Sequence, residues 1–478
     1  MGGWLSPLVH LSNNPLSLAG VVLVTTAAVF WFFLLPVSIR SEVDNPYMGI
    51  LIFMLLPGVF FLGLLLIPAG ILFRLRGERK RGTYPADFPA LNMRNIDFRR
   101  LVVFVGAATV VNVIIAAQTS YSAVNYMDSV TFCGQTCHSV MEPEFAAYQN
   151  SPHSRVECVK CHIGPGASWF VRSKLSGVWQ VFAVTFNTYD RPIPTPVRNL
   201  RPARDTCETC HWPQKFGADR LRIIDNYADD EANTRTRTVL LMKIGGGSKR
   251  GPGIHGMHLD PGVVIRYAHS DESRQTIPWV EYRDTAGRVT TYLAEGVTPE
   301  QVKNYPVREM DCMDCHNRPT HAFSLPERAV NEAISNGEVS PSLPYIKKTA
   351  VELLKAPYAS SAEAEQGIRA GLEKFYREGH PESFQARRAE IQRAADSIIG
   401  IYRRNVFPTM RVTWGNYPNN IGHMDFPGCF RCHDDQHKSA DGATVRQDCS
   451  SCHQILAMDE AAPKILADLG LETASGQQ

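Results

Sequence analysis

The chain has no cysteine to spare. Of its 478 residues 12 are cysteines, and all fall in pairs separated by two or three residues. That leaves no odd thiol and none of the spacing of a disulfide scaffold. Charge of one sign is also lacking, since 49 Lys and Arg against 47 Asp and Glu leave a formal net charge of +2. This excludes a polyelectrolyte tail, and no basic face marks a nucleic-acid partner. The polar bias of a disordered chain is missing too, because 44% of the residues are hydrophobic. Bases are absent before the first apolar run, Arg40 being the first charged residue. A cleaved signal peptide needs a basic n-region and a small-residue cleavage site, so this segment is expected to stay as an anchor. No exact internal repeat sets a period.

Long apolar runs are present, and all precede the first cysteine. Residues 16–35, 50–73 and 101–117 are uncharged. A helix crossing a bilayer takes about 20 apolar residues, and about 17 suffice. Three N-terminal transmembrane helices are therefore expected. Between the second and third runs lie Arg74, Arg76, Arg79, Lys80, Arg81, Arg94, Arg99 and Arg100 against Glu78, Asp87 and Asp97. The loop between the first two runs has Arg40 against Glu42 and Asp44. The positive-inside rule puts the basic loop in the cytoplasm, and three crossings put everything after residue 120 outside.

Each cysteine pair is followed by a histidine. Five motifs are C-x-x-C-H: Cys158, Cys161 and His162; Cys207, Cys210 and His211; Cys312, Cys315 and His316; Cys429, Cys432 and His433; Cys449, Cys452 and His453. This is the attachment pattern of c-type haem, in which two thiols form thioethers and the adjacent imidazole meets the iron. Zinc sites and redox dithiols also use C-x-x-C, but five copies each ending in histidine favour haem. The remaining motif, Cys133, Cys137 and His138, has three intervening residues, and both thiols and the imidazole are kept. Six covalent c-type haems are expected. Such haem is attached after export, which again places these motifs outside the cytoplasm.

An iron that only carries electrons needs a second axial group. Of 15 histidines, nine lie outside the motifs. His10 belongs to the anchor, and His380, beside Pro381, reads as a surface or capping residue. His153, His255, His258, His269, His321, His423 and His437 are the candidate distal ligands, at least one of His255 and His258 among them. His153 and His321 lie so close to a motif that each is expected to serve a different haem.

From Tyr121 on, glycine, proline, charge and histidine replace the apolar runs. Pro192, Pro194, Pro196 and Pro202 break the chain before the third motif, and residues 245–256 read as a glycine-rich loop. Residues 263–267 and 289–293 alternate as short strands. Residues 327–405 hold no cysteine and are helix-forming, with Ser361 as a cap and Pro381 opening a helix that continues to Tyr402. The expected fold is mainly α with extensive irregular structure: three transmembrane helices, then a periplasmic multihaem c-type cytochrome domain. Its parts are an anchor at 1–120, a four-motif haem domain at 121–326, a helical insertion at 327–405 and a two-haem segment at 406–478.

Three stretches carry a family resemblance: Cys133 through Pro143, Ser151-Pro-His-Ser-Arg, and Cys158-Val-Lys-Cys-His. Over roughly residues 101–215 the chain resembles the NapC/NirT family of membrane-anchored multihaem quinol dehydrogenases, and in form the small subunit of cytochrome c nitrite reductase. The resemblance implies that Met141 binds the first iron in place of a histidine, with His138 the alternative. It implies that His153 serves a later haem and that Lys174 lies near the quinol. The acidic residue that follows in the nitrite-reductase partner has no match, since Ser176 and Gly177 stand there. Asp128, the nearest acid before the first motif, is a candidate proton acceptor. With three spans and six motifs the chain looks more like the larger inner-membrane cytochromes of metal-reducing bacteria.

The expected function is a hexahaem cytochrome c of the bacterial inner membrane that oxidises menaquinol or a related quinol. It passes the electrons to a periplasmic cytochrome or reductase complex, and the extra spans offer a surface to a membrane-protein partner. The alternatives are a terminal reductase with one open haem, and the anchor and electron-transfer subunit of a reductase complex.

Overall fold

A computed structural model of the chain describes residues 5–12, 14–40, 54–85, 124–136, 138–197, 200–212, 219–245 and 252–471, with scattered positions between 103 and 122. The chain divides into two compact units, Met1–Phe132 and Cys133–Gln478.

In the first unit, α1 (Leu5–Ser12), α2 (Pro15–Arg40) and α3 (Leu56–Arg81) carry the apolar runs. Small residues bring α2 and α3 together, and a Cβ on Gly63 would lie 2.7 Å from the Gly20 carbonyl oxygen. Backbone approach of this kind is how helices associate where apolar burial gives no net drive. Ser17 donates to the Ile67 carbonyl across the seam (3.0 Å), and Val24, Ala27, Leu56 and Phe60 fill it. Arg74 and His10 both reach Glu78, at 2.7 and 3.1 Å.

The expectation of three spans is corrected here. Among the described residues one helix, Leu56–Arg81, is long and apolar enough to cross a membrane. A second exists only if Ser6–Ser12 and Pro15–Ala28, bent by 85°, count as one span. Of the helix that carries the first run, side chains are described without interruption only as far as Ala28, and Pro15–Ala28 alone is too short for a full crossing. Most of the third run, 101–117, lies outside the described residues, as do residues 86–100 of the basic loop. An orientation argued from an odd number of crossings falls with the count.

The second unit opens with short helices around the first motifs: α4 (His138–Gln149), α5 (Cys158–His162), α6 (Ala167–Thr185) and α7 (Ala203–Cys207). Strands β1 (Arg220–Tyr227) and β2 (Arg235–Met242) form an antiparallel hairpin, and the far C-terminal β7 (His453–Glu460) adds to β2. A second antiparallel sheet has the order β5-β4-β3-β6, from β3 (Val264–Ala268), β4 (Trp279–Arg283), β5 (Val289–Leu293) and β6 (Val307–Glu309). Residues expected as a glycine-rich loop in fact end in helix α8, Gly253–Leu259. Motif helix α9 (Cys312–Cys315) follows β6.

Five helices make a bundle: α10 (Pro326–Ser335), α11 (Ile346–Lys355), α12 (Ser361–Gly379), α13 (Pro381–Ala386) and α14 (Arg388–Asn405). Along α12, Ala364, Ile368, Leu372 and Tyr376 recur every four residues and are wholly buried against Ile391, Ile398 and Ile401 of α14. The cap is Ser360, whose hydroxyl accepts from Glu363 N (3.2 Å), one residue before the expected Ser361. The helix expected to run from Pro381 to Tyr402 breaks at Arg387, where φ is −127°.

Candidate functional site

Aspartates set the start of two motif helices. Asp311 accepts from Met313 N (2.8 Å) and Asp448 from Ser450 N (2.9 Å), so each acid satisfies a free amide and favours the helix N-terminus that presents the thiols. In the longer first motif, a Cβ on Gly134 would lie 2.2 Å from the Phe145 ring, so only glycine lets α4 close over it. None of the described cysteines is in a disulfide. Thiols of successive motifs adjoin, Cys133 with Cys158 and Cys207 with Cys312 in hydrogen-bond contact.

The histidines assemble in pairs. His162 faces His321 with ring centroids 6.2 Å apart, and His211 faces His153 at 5.9 Å. His316 faces His255 at 6.3 Å, His433 faces His258 at 5.9 Å, and His453 faces His423 at 6.2 Å. Every pair joins a motif histidine to one outside the motifs. An imidazole nitrogen sits about 2 Å from a bound metal and about 1 Å from its ring centre, so two rings on opposite faces of one iron lie roughly 6 Å apart. The five separations fit a bis-histidine iron.

Ring orientation fits as well. Nδ1 of His153 donates to Pro319 O (3.2 Å), of His258 to Ile254 O (2.8 Å), of His321 to Glu144 O (2.9 Å) and of His433 to Arg446 O (2.9 Å). A carbonyl can only accept, so these bonds fix the tautomer and leave the Nε2 lone pair for a metal. Burial pushes His255, His258 and His453 below the usual histidine range, with a neighbouring imidazole adding to the effect in each. All three are then neutral at neutral pH, the form that ligates. Among the described residues no group of three or more His, Cys, Asp or Glu gathers as a metal-ion site.

Two candidate ligands stand apart from these pairs. His437 is buried and spends both nitrogens, Nδ1 on Asp434 (2.9 Å) and Nε2 on Ile277 O (2.8 Å), leaving neither for an iron in this arrangement. His269 donates from Nδ1 to Asp271 O (2.8 Å) and lies against Tyr267. His380 sits among Tyr345, Phe375 and Tyr376 in the bundle. Met141 is half-buried on α4, while Cys137 and the His138 side chain lie outside the described residues. Asp128 is half-buried in the first unit, and Lys174 lies on α6 with its side chain outside the described set. That helix exposes Leu175, Trp179, Phe182 and Phe186, an apolar stripe at helical spacing.

Sequence reasoning missed the polar contacts that join motifs. Arg431, inside Cys429-Phe-Arg-Cys-His, donates from Nη2 to the carbonyl of Asp314 (2.6 Å), inside Cys312-Met-Asp-Cys-His. A charged residue in each motif interior was the available signal. At the last motif, Lys243 donates to Ser450 O (2.6 Å), and a cavity of about 340 Å³ is lined by Lys243, Cys449, Ser450, His453, Gln454 and Ile455.

Residues 96–193 match the NapC/NirT cytochrome c family, N-terminal region. The cytochrome c-type protein ImcH of Geobacter sulfurreducens is 43% identical over 448 residues, covering 93% of this chain and 88% of that protein. No solved structure matches. With the motif histidines paired and this similarity running almost end to end, the chain belongs to the NapC/NirT family of membrane-associated multihaem c-type cytochromes.

Proposed function

We propose that the protein is a hexahaem quinol dehydrogenase of the bacterial inner membrane, taking electrons from menaquinol and delivering them to a periplasmic cytochrome or reductase. When bound, c-type haem supplies one-electron transfer at each iron. The observation that carries the reading is the set of five histidine pairs, which gives every described motif histidine a partner at the separation an iron requires. Irons closed on both faces by protein transfer electrons rather than bind substrate, which favours a wire over a terminal reductase. His321, His153, His255, His258 and His423 are the distal ligands in motif order, and Met141 serves the first motif.

The relationship to the NapC/NirT family supports quinol as the donor. Quinol lives in lipid, so its site belongs where the chain meets the membrane. The exposed stripe Leu175, Trp179, Phe182 and Phe186 supports such a meeting place, with Lys174 on the same helix to orient a quinol oxygen. Oxidation of one quinol releases two protons and two electrons, and Asp128 accepts a proton. The outer face of the membrane is the side for the haem unit, because the thioethers form after export.

Rapid-mixing reduction by menaquinol in membranes tests the donor, with a quinol-site inhibitor as control. Inhibitor-sensitive reduction is expected, and its absence would overturn the dehydrogenase. Lys174→Ala should slow it with haem spectra unchanged. Intact mass should exceed the apoprotein by six haems, and five would remove the Cys133 and Cys137 site alone. Protease added to spheroplasts should cut the haem unit, and protection would refute the outward side.

A further inference from the structure

Two motifs far apart in sequence are tied together in two ways, both outside the residues that match the family model. Helix α8 carries His255 and His258 three positions apart, so both imidazoles leave one face of a two-turn helix. His255 meets His316 and His258 meets His433, which means one short helix serves two different motifs. The second tie is Arg431. It is 9% exposed, and its guanidinium is spent on three carbonyls: Gly428 through Nε (2.8 Å), Arg274 through Nη1 (2.8 Å) and Asp314 through Nη2 (2.6 Å). Asn420 steadies the first of these motifs, donating from Nδ2 to the same Asp314 carbonyl (3.1 Å) while its backbone N–H donates to Asn317 Oδ1 (2.9 Å).

The motif held by Arg431 is itself braced from the second sheet. Asp314 is 2% exposed and accepts from its own cap at Asp311 N (2.7 Å). It also meets Tyr267 of β3, Arg308 of β6 (3.3 Å) and Arg274 (3.6 Å). The backbone between Cys312 and Cys315 therefore cannot shift without breaking buried polar contacts. Arg431 itself lies between Cys429 and Cys432, and its Nη2 reaches the carbonyl of Asp314, between Cys312 and Cys315, so one guanidinium adjoins both motifs.

We propose that Arg431 is a positioning residue that clasps the haem attached at Cys312 and Cys315 to the haem attached at Cys429 and Cys432. Together with α8 it makes them a rigid, electrostatically coupled pair that links the front motifs to the last two. The proposal rests on the hexahaem function above. An electron crossing this junction is lost by one iron and gained by its neighbour. Quinol is the ultimate donor and an oxidised periplasmic haem protein the acceptor. A fixed spacing keeps that step fast, and one guanidinium facing both attachment sites raises both potentials, since positive charge disfavours the oxidised iron.

The test uses the full-length haem-loaded protein with Arg431→Met and Arg431→Lys. Haem content is read by intact mass, potentials by titration with dithionite, and interhaem spin coupling by electron paramagnetic resonance. Dithionite reduces the protein without quinol, so failure of the donor assignment leaves this test standing. In Arg431→Met two haems should move to more negative potential and their coupling signal should change, with all haems retained. Arg431→Lys should restore the potentials, because the charge remains, but not the coupling, because lysine cannot span three carbonyls. Full haem content with unchanged potentials and coupling in Arg431→Met overturns the clasp. If Arg431→Met loses haem, Arg431→Lys decides alone, and wild-type coupling there rejects it. A wild-type mass lacking haem at these motifs rejects the hexahaem function instead.

Discussion

Val330, Leu343, Ile346, Ile368, Leu372 and Tyr376 of the helical bundle are completely out of water, whereas Cys161, Cys210, Cys429 and Cys449 of the motif region are exposed. The bundle has one continuous apolar core drawn from α10, α11, α12 and α14. The motif region has only small clusters, such as Val140 with Phe407, Met410, Val412 and Tyr417. Each buried aliphatic side chain contributes about 1.5–3 kcal/mol, so the bundle holds itself together by ordinary burial. Around the motifs, ordering relies on caps, carbonyl contacts and the ligand pairs. The expectation is that the bundle folds on its own account and that the motif region depends on its cofactor, as structural metal sites do.

The sharpest way to break this contrast is to withhold haem. Made without attachment, the chain should lose protease resistance throughout the motif region while a fragment near residues 326–405 survives. Uniform protection would show that the motif region has a core of its own. Next in size, Ile398→Ala removes a wholly buried side chain between α12 and α14 and should cost the bundle about 2–5 kcal/mol in denaturant titration, with haem spectra unchanged. Altered haem spectra would mean that the two regions are energetically one.

Lys347 offers a pH-dependent refinement. It is 4% exposed, and burial lowers it to about 8 from the ordinary 10.5, against the partial support of Asp229 and Glu327. Between pH 8 and 10.5 the unfolded chain holds a proton that the folded chain lacks, so this group's contribution to stability rises with pH across that window. Below pH 8 the cost is present in full. Lys347→Met should therefore stabilise the bundle at pH 7 by at most about 3 kcal/mol, with no gain above pH 10.5. A gain that persists at high pH would point to packing instead. The smallest effect belongs to Ser360→Ala, which removes the α12 cap and should cost about 1 kcal/mol of bundle stability alone.

Much of this was legible where chemistry is local. Cysteine spacing pointed to a multihaem c-type cytochrome, alternation placed the strand at Val289–Leu293, and proline marked the start of α13 at Pro381. What depends on distant partners was not. Strand β2 reads Arg-Thr-Arg-Thr before its apolar end, a pattern that becomes a strand only between β1 and β7. The run before α8 reads as loop by its glycines, yet His255 and His258 lie on a helix ordered by the motifs it meets. Candidate distal ligands could be nominated from the surplus of histidines, but the ring pairs could not, because His321 reaches back to His162 and His153 forward to His211. His437 shows the limit of nomination by proximity: a histidine four residues past a motif can equally serve a carboxylate and a carbonyl.

The pairing of β2 with β7 has a consequence for the order of assembly. Met242 is in register with His453, the histidine of the last motif, and Lys243 N donates to the carbonyl of Cys452 (2.8 Å). The first sheet therefore stays a two-stranded hairpin, with β2 an open edge, until the final motif has been made and delivered. A two-stranded hairpin is marginal by itself, and contacts so distant in sequence form slowly. Arrival of the last strand covers the edge of β2 and fixes the last motif against the sheet in the same movement.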